Sequence, residues 1–170
     1  PKTATNRSYL GHILETGHLS VLEHGTATLY LQELSRACTH ELVRHRHFSY
    51  SQLSQRYVAD DDPVMVVPEA IDDSDEAYRA YMEALGQATV AYRRLSMILA
   101  DKFGTDSTAA RKAARQAARY ILPNATQTEI VVTGNYRAWR HFIALRATEH
   151  ADVEIRQLAF ECLMQLRDEA

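Results

Sequence analysis

The segment from Ser74 to Phe103 constrains this chain most. Tyr78, Tyr81, Met82, Leu85, Tyr92, Leu95 and Leu99 recur at three- and four-residue steps, and Gly104 follows as a stop. That period predicts one long amphipathic helix, with its tyrosines read as core rather than as rings stacking on a ligand. Shorter helices are predicted from Asn6 to Thr16, stopped by Gly17, and from a Ser35 cap through about Val43. A helix from Thr108 to Leu122 ends at Pro123, and two more run from Asn135 to about His150 and from Val153 to Asp168. Strands are fewer. Ala27 to Leu34 alternates Thr28, Tyr30 and Gln32 against Leu29 and Leu31, and Thr128 to Thr133 is rich in β-formers. Val64 to Pro68 reads as a second short strand limited by Pro63 and Pro68, and Asp60 to Asp62 as a solvated turn. Long helices on a small mixed or antiparallel sheet make this α+β, and 170 residues without repeats make one domain, 1–170.

Between the second helix and that short strand lies Arg44 to Tyr57, with three arginines, two histidines, three serines, two glutamines and two tyrosines but no carboxylate, Gly or Pro. Its apolar residues fit neither a helical nor a strand period. So many donors are costly to order unless an anion gathers them, and Arg matches phosphate or carboxylate with a planar fork. A basic surface loop meeting solvent or RNA phosphates is the plain alternative. A net charge of -3 argues against a dedicated nucleic-acid binder and suits a small anionic ligand. No run of about 18 apolar residues and no secretory pattern is visible. Cys38 and Cys162 form no CxxC pattern and read as reduced thiols of a cytoplasmic protein.

Further along, Arg111, Arg115 and Arg119 form a helical stripe; the first two are read as a solvated face. Asn135, Trp139, Phe142, Arg146 and His150 share one helical face. An arginine buried there requires an anionic ligand or a carboxylate, Glu149 and Glu154 being the nearest in sequence. His18, Glu23, His24, His40 and Glu41 fit no zinc spacing, so no metal is assigned, and no GxGxxG or P-loop sequence occurs.

Arg44-His45-Arg46, seven residues, then Ser54 resembles the signature of the flavin-dependent thymidylate synthases. Thr16 to His24, Ala118 to Pro123 and Leu145 to His150 resemble three further family segments in the expected order, so the resemblance covers nearly the whole chain. It implies reductive methylation of dUMP to dTMP without a cysteine nucleophile. Methylenetetrahydrofolate supplies the carbon, and FAD reduced by NADPH supplies the hydride. It implies dUMP contacts from Arg36, Glu41, Gln52, Ser54, Gln55, Arg56, Arg119 and Arg146, with Arg146 stabilising charge on the reacting pyrimidine. Some members carry Gln at the position of Glu41. It implies FAD contacts from His18, Ser20, Arg44, His45, Arg46, Gln52, Asn135, His141 and His150, although His141 stands where members have Asn. A homotetramer with sites shared between subunits is implied, with no nucleic-acid or membrane partner. Family members run further at both ends, so the sequence reads as part of a longer chain. A non-catalytic nucleotide- or RNA-binding module and another flavoprotein acting on a phosphorylated substrate are the competing readings.

Overall fold

A computed structural model describes residues 5–57, 63–104 and 107–168; the predicted turn at Asp60 to Asp62 lies outside them. Seven α-helices and three strands are found among the described residues, and the α+β class is as read from the sequence. The helices are α1 (Asn6–Thr16), α2 (Arg36–Leu42), α3 (Glu69–Asp72), α4 (Asp75–Phe103), α5 (Thr108–Ala118), α6 (Tyr136–Arg146) and α7 (Val153–Asp168). The strands are β1 (Thr26–Ser35), β2 (Ser49–Gln52) and β3 (Gln127–Asn135). They form an antiparallel sheet in the order β1-β3-β2. No helix among the described residues is long and apolar enough to cross a membrane.

Local chemistry sets the element ends. Gly17 takes φ 72° and closes α1 by donating its N–H to the Ile13 carbonyl. The Ser35 and Ser74 hydroxyls accept from the N–H groups of Cys38 and Ala77, capping α2 and α4. At 29 residues α4 extends about 43 Å, from a rise of about 1.5 Å per residue. Its predicted stripe is only partly core: Leu85 and Tyr92 are buried, whereas Tyr78, Met82 and Leu95 are exposed.

Several boundaries differ from the sequence reading. The cation-rich segment contains β2, an edge strand too short for its alternation to register. Val64 to Pro68 forms only a bridge, Met65 to Thr126, rather than a strand. The helix predicted to Leu122 ends at Ala118 and tightens into a 3-10 turn, Arg119–Ile121. The helix predicted to reach His150 stops at Arg146, because Ala147 at φ -78°, ψ 49° leaves the helical region. In β1 the alternation breaks at Gln32 and Glu33, both exposed. Glu33 takes φ 60°, a left-handed conformation within the strand, and Leu34 after it is buried.

The chain divides into two compact units. The first comprises Pro1–Tyr30, Glu41–Ser51 and Val131–Ala170. It buries Leu42, Val132, Trp139, Phe142 and one stripe of α7, Ile155, Leu158, Ala159 and Cys162. The second comprises Leu31–His40 and Gln52–Ile130. It buries Leu34, Cys38, Leu85, Tyr92, Ala114, Ala118 and Ile130, and α5 packs on α4.

Candidate functional site

In the first unit the last residues of α2, the turn after it and α6 bring three of the predicted residues together. The Arg146 guanidinium donates from Nη1 to Glu41 Oε2 at 2.8 Å and from Nε to His45 Nε2 at 3.1 Å. A carboxylate that meets Arg146 is therefore Glu41, 105 residues away in sequence. These two bonds use two of the five guanidinium N–H groups and leave three for a ligand. His45 must be neutral to accept from Arg146, with its remaining proton on Nδ1. Burial, then the charge of Arg146, then His141 push its pKa down to about 4, which keeps it neutral at physiological pH. Burial and then the neighbouring Asp152 carboxylate raise the pKa of Glu41, while Arg146 lowers it. Asp152 gave no sequence signal, because it precedes α7 in a stretch without motif character.

A cavity of about 520 Å³ opens beside this cluster. Its wall includes Arg44, Arg46, His141 and Arg146 with apolar Phe48 and Leu145. Three arginines on one wall, Arg44, Arg46 and Arg146, make a positive potential suited to an anion. Another cavity in the same unit, about 760 Å³, shares His47, Ala138 and His141 with it. Leu19, Leu22 and Ala144 give it an apolar side, and Asn135, Arg137 and Arg140 a polar one. Asn135 caps α6 through Oδ1, accepting from the Ala138 N–H at 2.8 Å, and presents its amide NH2 as a donor. Glu23 pairs with Arg137. An apolar wall facing cationic donors fits a ring system carrying a pyrophosphate, and the volume lies within the range of cofactor pockets.

The remaining flavin candidates stand differently. The turn Leu19–Glu23 presents Leu19, Leu22 and Glu23 to the larger cavity, and His18 and Ser20 are exposed beside them. His150 lies beyond the end of α6, with a side chain 89% exposed and Nε2 4.0 Å from Glu149 Oε1. It does not share the helical face of Trp139 and Phe142.

The second unit holds the other nucleotide candidates. Gln52 Nε2 donates to Thr39 Oγ1 at 3.1 Å and to Thr128 Oγ1 at 3.4 Å. Ser54 Oγ accepts from the Arg56 N–H at 3.3 Å, a local turn bond. Gln55 is buried, Arg56 lies 5.8 Å from the Tyr57 ring centroid, and Arg119 is half-buried in its 3-10 turn. Arg36 Nη2 donates to the Leu53 carbonyl at 3.1 Å. Arg115, read with Arg111 as a solvated face, donates from Nη1 to the Tyr57 carbonyl at 3.0 Å in an exposed contact. Lys112 bonds the Tyr57 hydroxyl and lowers its pKa. Sequence reasoning missed Lys112, which sits one residue off the arginine stripe.

Sequence reasoning also missed what supports His45. Phe48 is buried with its ring centroid 4.5 Å from that of Trp139. It lies against Gly134, where a Cβ would come within 2.2 Å of Phe48 Cδ1. Gly134 followed by the Asn135 cap is visible in the sequence, but its partner is not.

Fold and site together describe an α+β chain in which the Arg44-His45-Arg46 segment and α6 line two cavities carrying cationic side chains. The family described as thymidylate synthase complementing protein matches residues 2–170, and the chain belongs to it. A flavin-dependent thymidylate synthase of Mycobacteroides abscessus is 59% identical over 172 residues, covering 99% of this chain and 68% of the relative. The protein of that name from Mycobacterium avium is 58% identical, covering 100% of this chain and 69% of its own. That of Mycobacterium tuberculosis is 60% identical over 168 residues, covering 98% and 67%.

Proposed function

We propose that this chain is a flavin-dependent thymidylate synthase, converting dUMP to dTMP by reductive methylation. The observation that carries the reading is the family match over residues 2–170. It is supported by the Arg44-His45-Arg46 motif lining a cationic cavity around the Glu41–Arg146–His45 cluster. Methylenetetrahydrofolate is the carbon donor and NADPH the reductant. When bound, FAD supplies the hydride.

The protein's own part is orientation and charge. Uracil must gather negative charge before C5 can attack a one-carbon electrophile. Arg146 is the residue for that charge: Glu41 and His45 hold its guanidinium in place, and three N–H groups remain to donate. Neutral His45 orients Arg146 without competing with it as a cation. Arg36, Gln52, Ser54, Gln55, Arg56 and Arg119 are the further dUMP residues, and Glu41 contacts the nucleotide as well. His18, Ser20, Arg44, His45, Arg46, Gln52, Asn135, His141 and His150 are the flavin residues. Of these, the apolar and cationic walls around Asn135 and His141 give the strongest support, and exposed His150 the weakest. Residues 1–170 act as one functional domain of a cytoplasmic homotetramer. Cysteine takes no part: Cys162 is buried and its pKa is pushed up to about 12, chiefly by burial.

Two measurements test this reading. Protein purified with oxidised flavin is yellow, which separates it from a nucleotide- or RNA-binding module. Tritium release from [5-³H]dUMP, dependent on methylenetetrahydrofolate and NADPH, separates it from other flavoproteins. A colourless protein that releases no tritium when supplied with FAD overturns it.

A further inference from the structure

The turn carrying Arg44, His45 and Arg46 leaves the end of α2 and enters β2. Three backbone bonds shape it: Arg44 N–H to the Glu41 carbonyl at 3.1 Å, His45 N–H to the Leu42 carbonyl at 3.1 Å, and Phe48 N–H to the His45 carbonyl at 3.3 Å. Tyr50 reaches back over this turn from β2. Its hydroxyl lies 2.7 Å from the Leu42 carbonyl and 2.8 Å from the His45 carbonyl. One phenolic proton thus serves two acceptors three residues apart. We propose that Tyr50 is a positioning residue whose hydroxyl ties the two ends of the Leu42–His45 turn and so fixes where Arg44 and His45 sit. This rests on the functional reading above only for its catalytic consequence.

Three observations separate this role from ordinary packing. Each bridged carbonyl already accepts one backbone N–H, and a carbonyl oxygen has room for two donors. Removing the hydroxyl therefore orphans neither carbonyl, and the loss falls on the turn's position rather than on the fold. Burial also pushes the Tyr50 pKa up to about 12, so the phenol keeps the proton it must donate. Finally, His45 is the acceptor for Arg146 Nε, so movement of the turn is passed directly to the guanidinium. A displacement of about 1 Å in such a group is enough to cost on the order of 10²-fold in rate. Phe48, held against Gly134, anchors the turn's other end.

The test is Tyr50→Phe, which keeps the ring and removes only the hydroxyl. Peptide-level hydrogen exchange on the parent and variant chains should show residues 43–48 exchanging at least tenfold faster in the variant. Peptides from α7 should be unchanged. FAD titrated into the stripped variant should bind about tenfold more weakly, and dTMP turnover should fall by a similar factor, while the KM for dUMP moves less than threefold. Unchanged exchange in 43–48 overturns the proposal. So does exchange that rises equally in α7, which makes Tyr50 a residue of the fold, and so does FAD affinity within twofold of the parent. Failure of the unsubstituted chain to bind FAD counts against the functional reading instead, and the exchange comparison alone then decides the clamp.

Discussion

Replacing Gly134 by alanine probes the packing that supports His45. The added Cβ would lie 2.2 Å from Phe48 Cδ1 and 2.4 Å from Phe48 Cε1. Carbon atoms settle at about 3.5–4.0 Å, so the ring must retreat by roughly 1 Å or more. Little room exists for that. The Phe48 centroid is 4.5 Å from Trp139 and 5.9 Å from Phe142, and both of those side chains are fully buried. Gly134 itself lies in β3, the central strand. Overpacking of this kind costs about 1–3 kcal/mol. Restricting the unfolded chain by losing a glycine returns about 0.4–1 kcal/mol. The net destabilisation is about 1–2 kcal/mol, or a fall in Tm of roughly 2–8 °C for a chain of this size. Trp139 is the single tryptophan, so its fluorescence reports unfolding at the contact itself. Adding Phe48→Leu should recover part of the loss, giving a coupling of about 1 kcal/mol in a double-mutant cycle. A Gly134→Ala chain melting at or above the parent temperature would refute the reasoning.

Three other outcomes follow from the site. Arg146→Lys should fold but form dTMP on the order of 10²-fold more slowly at saturating dUMP, because an ammonium cannot satisfy Glu41 and His45 and still present a planar donor set; parental turnover in the lysine chain contradicts this. Replacing Cys38 and Cys162 together by Ala should leave dTMP formation within about tenfold, with about 1–2 kcal/mol or more of stability lost from two buried sites; a folded, flavin-loaded variant without activity contradicts it. The folded pKa of His45, about 4, lies below the ordinary 6.5, so the unfolded chain binds that proton more readily. Its contribution is complete above pH 6.5 and declines as pH falls towards 4, by about 1–3 kcal/mol in all. Melting temperatures at pH 7.5 and 5 should therefore differ less in His45→Gln than in the parent, and an equal difference in both removes His45 as the cause.

Elements with a local punctuation mark were legible in the sequence. Gly17 ends α1 through a left-handed residue, Ser35 and Ser74 start α2 and α4 through their hydroxyls, and each acts within four residues of itself. The end of α6 was not legible, because no Gly or Pro lies between Arg146 and Val153. The helix stops so that α7 can fold back and bury Ile155, Leu158, Ala159 and Cys162 with α6 as its neighbour, which is a tertiary cause. The break in alternation at Glu33 is hidden too, since a left-handed glutamate carries no signal. In the site, residue types were readable and pairings were not. An arginine on an aromatic helix face demanded an anion, but nothing near Arg146 in sequence points to Glu41. Gln52 Nε2 likewise meets Thr39 and Thr128, partners 13 and 76 residues away.

The central claim is that this chain transfers a carbon from folate to dUMP with flavin and without a thiol. The most direct test follows isotopically labelled methylene carbon from methylenetetrahydrofolate in the presence of dUMP, NADPH and FAD, using both the parent and the Cys38→Ala/Cys162→Ala chain. The account predicts label in dTMP from both proteins and none when FAD is withheld from stripped protein. Label absent from dTMP in both, with FAD bound, would contradict it.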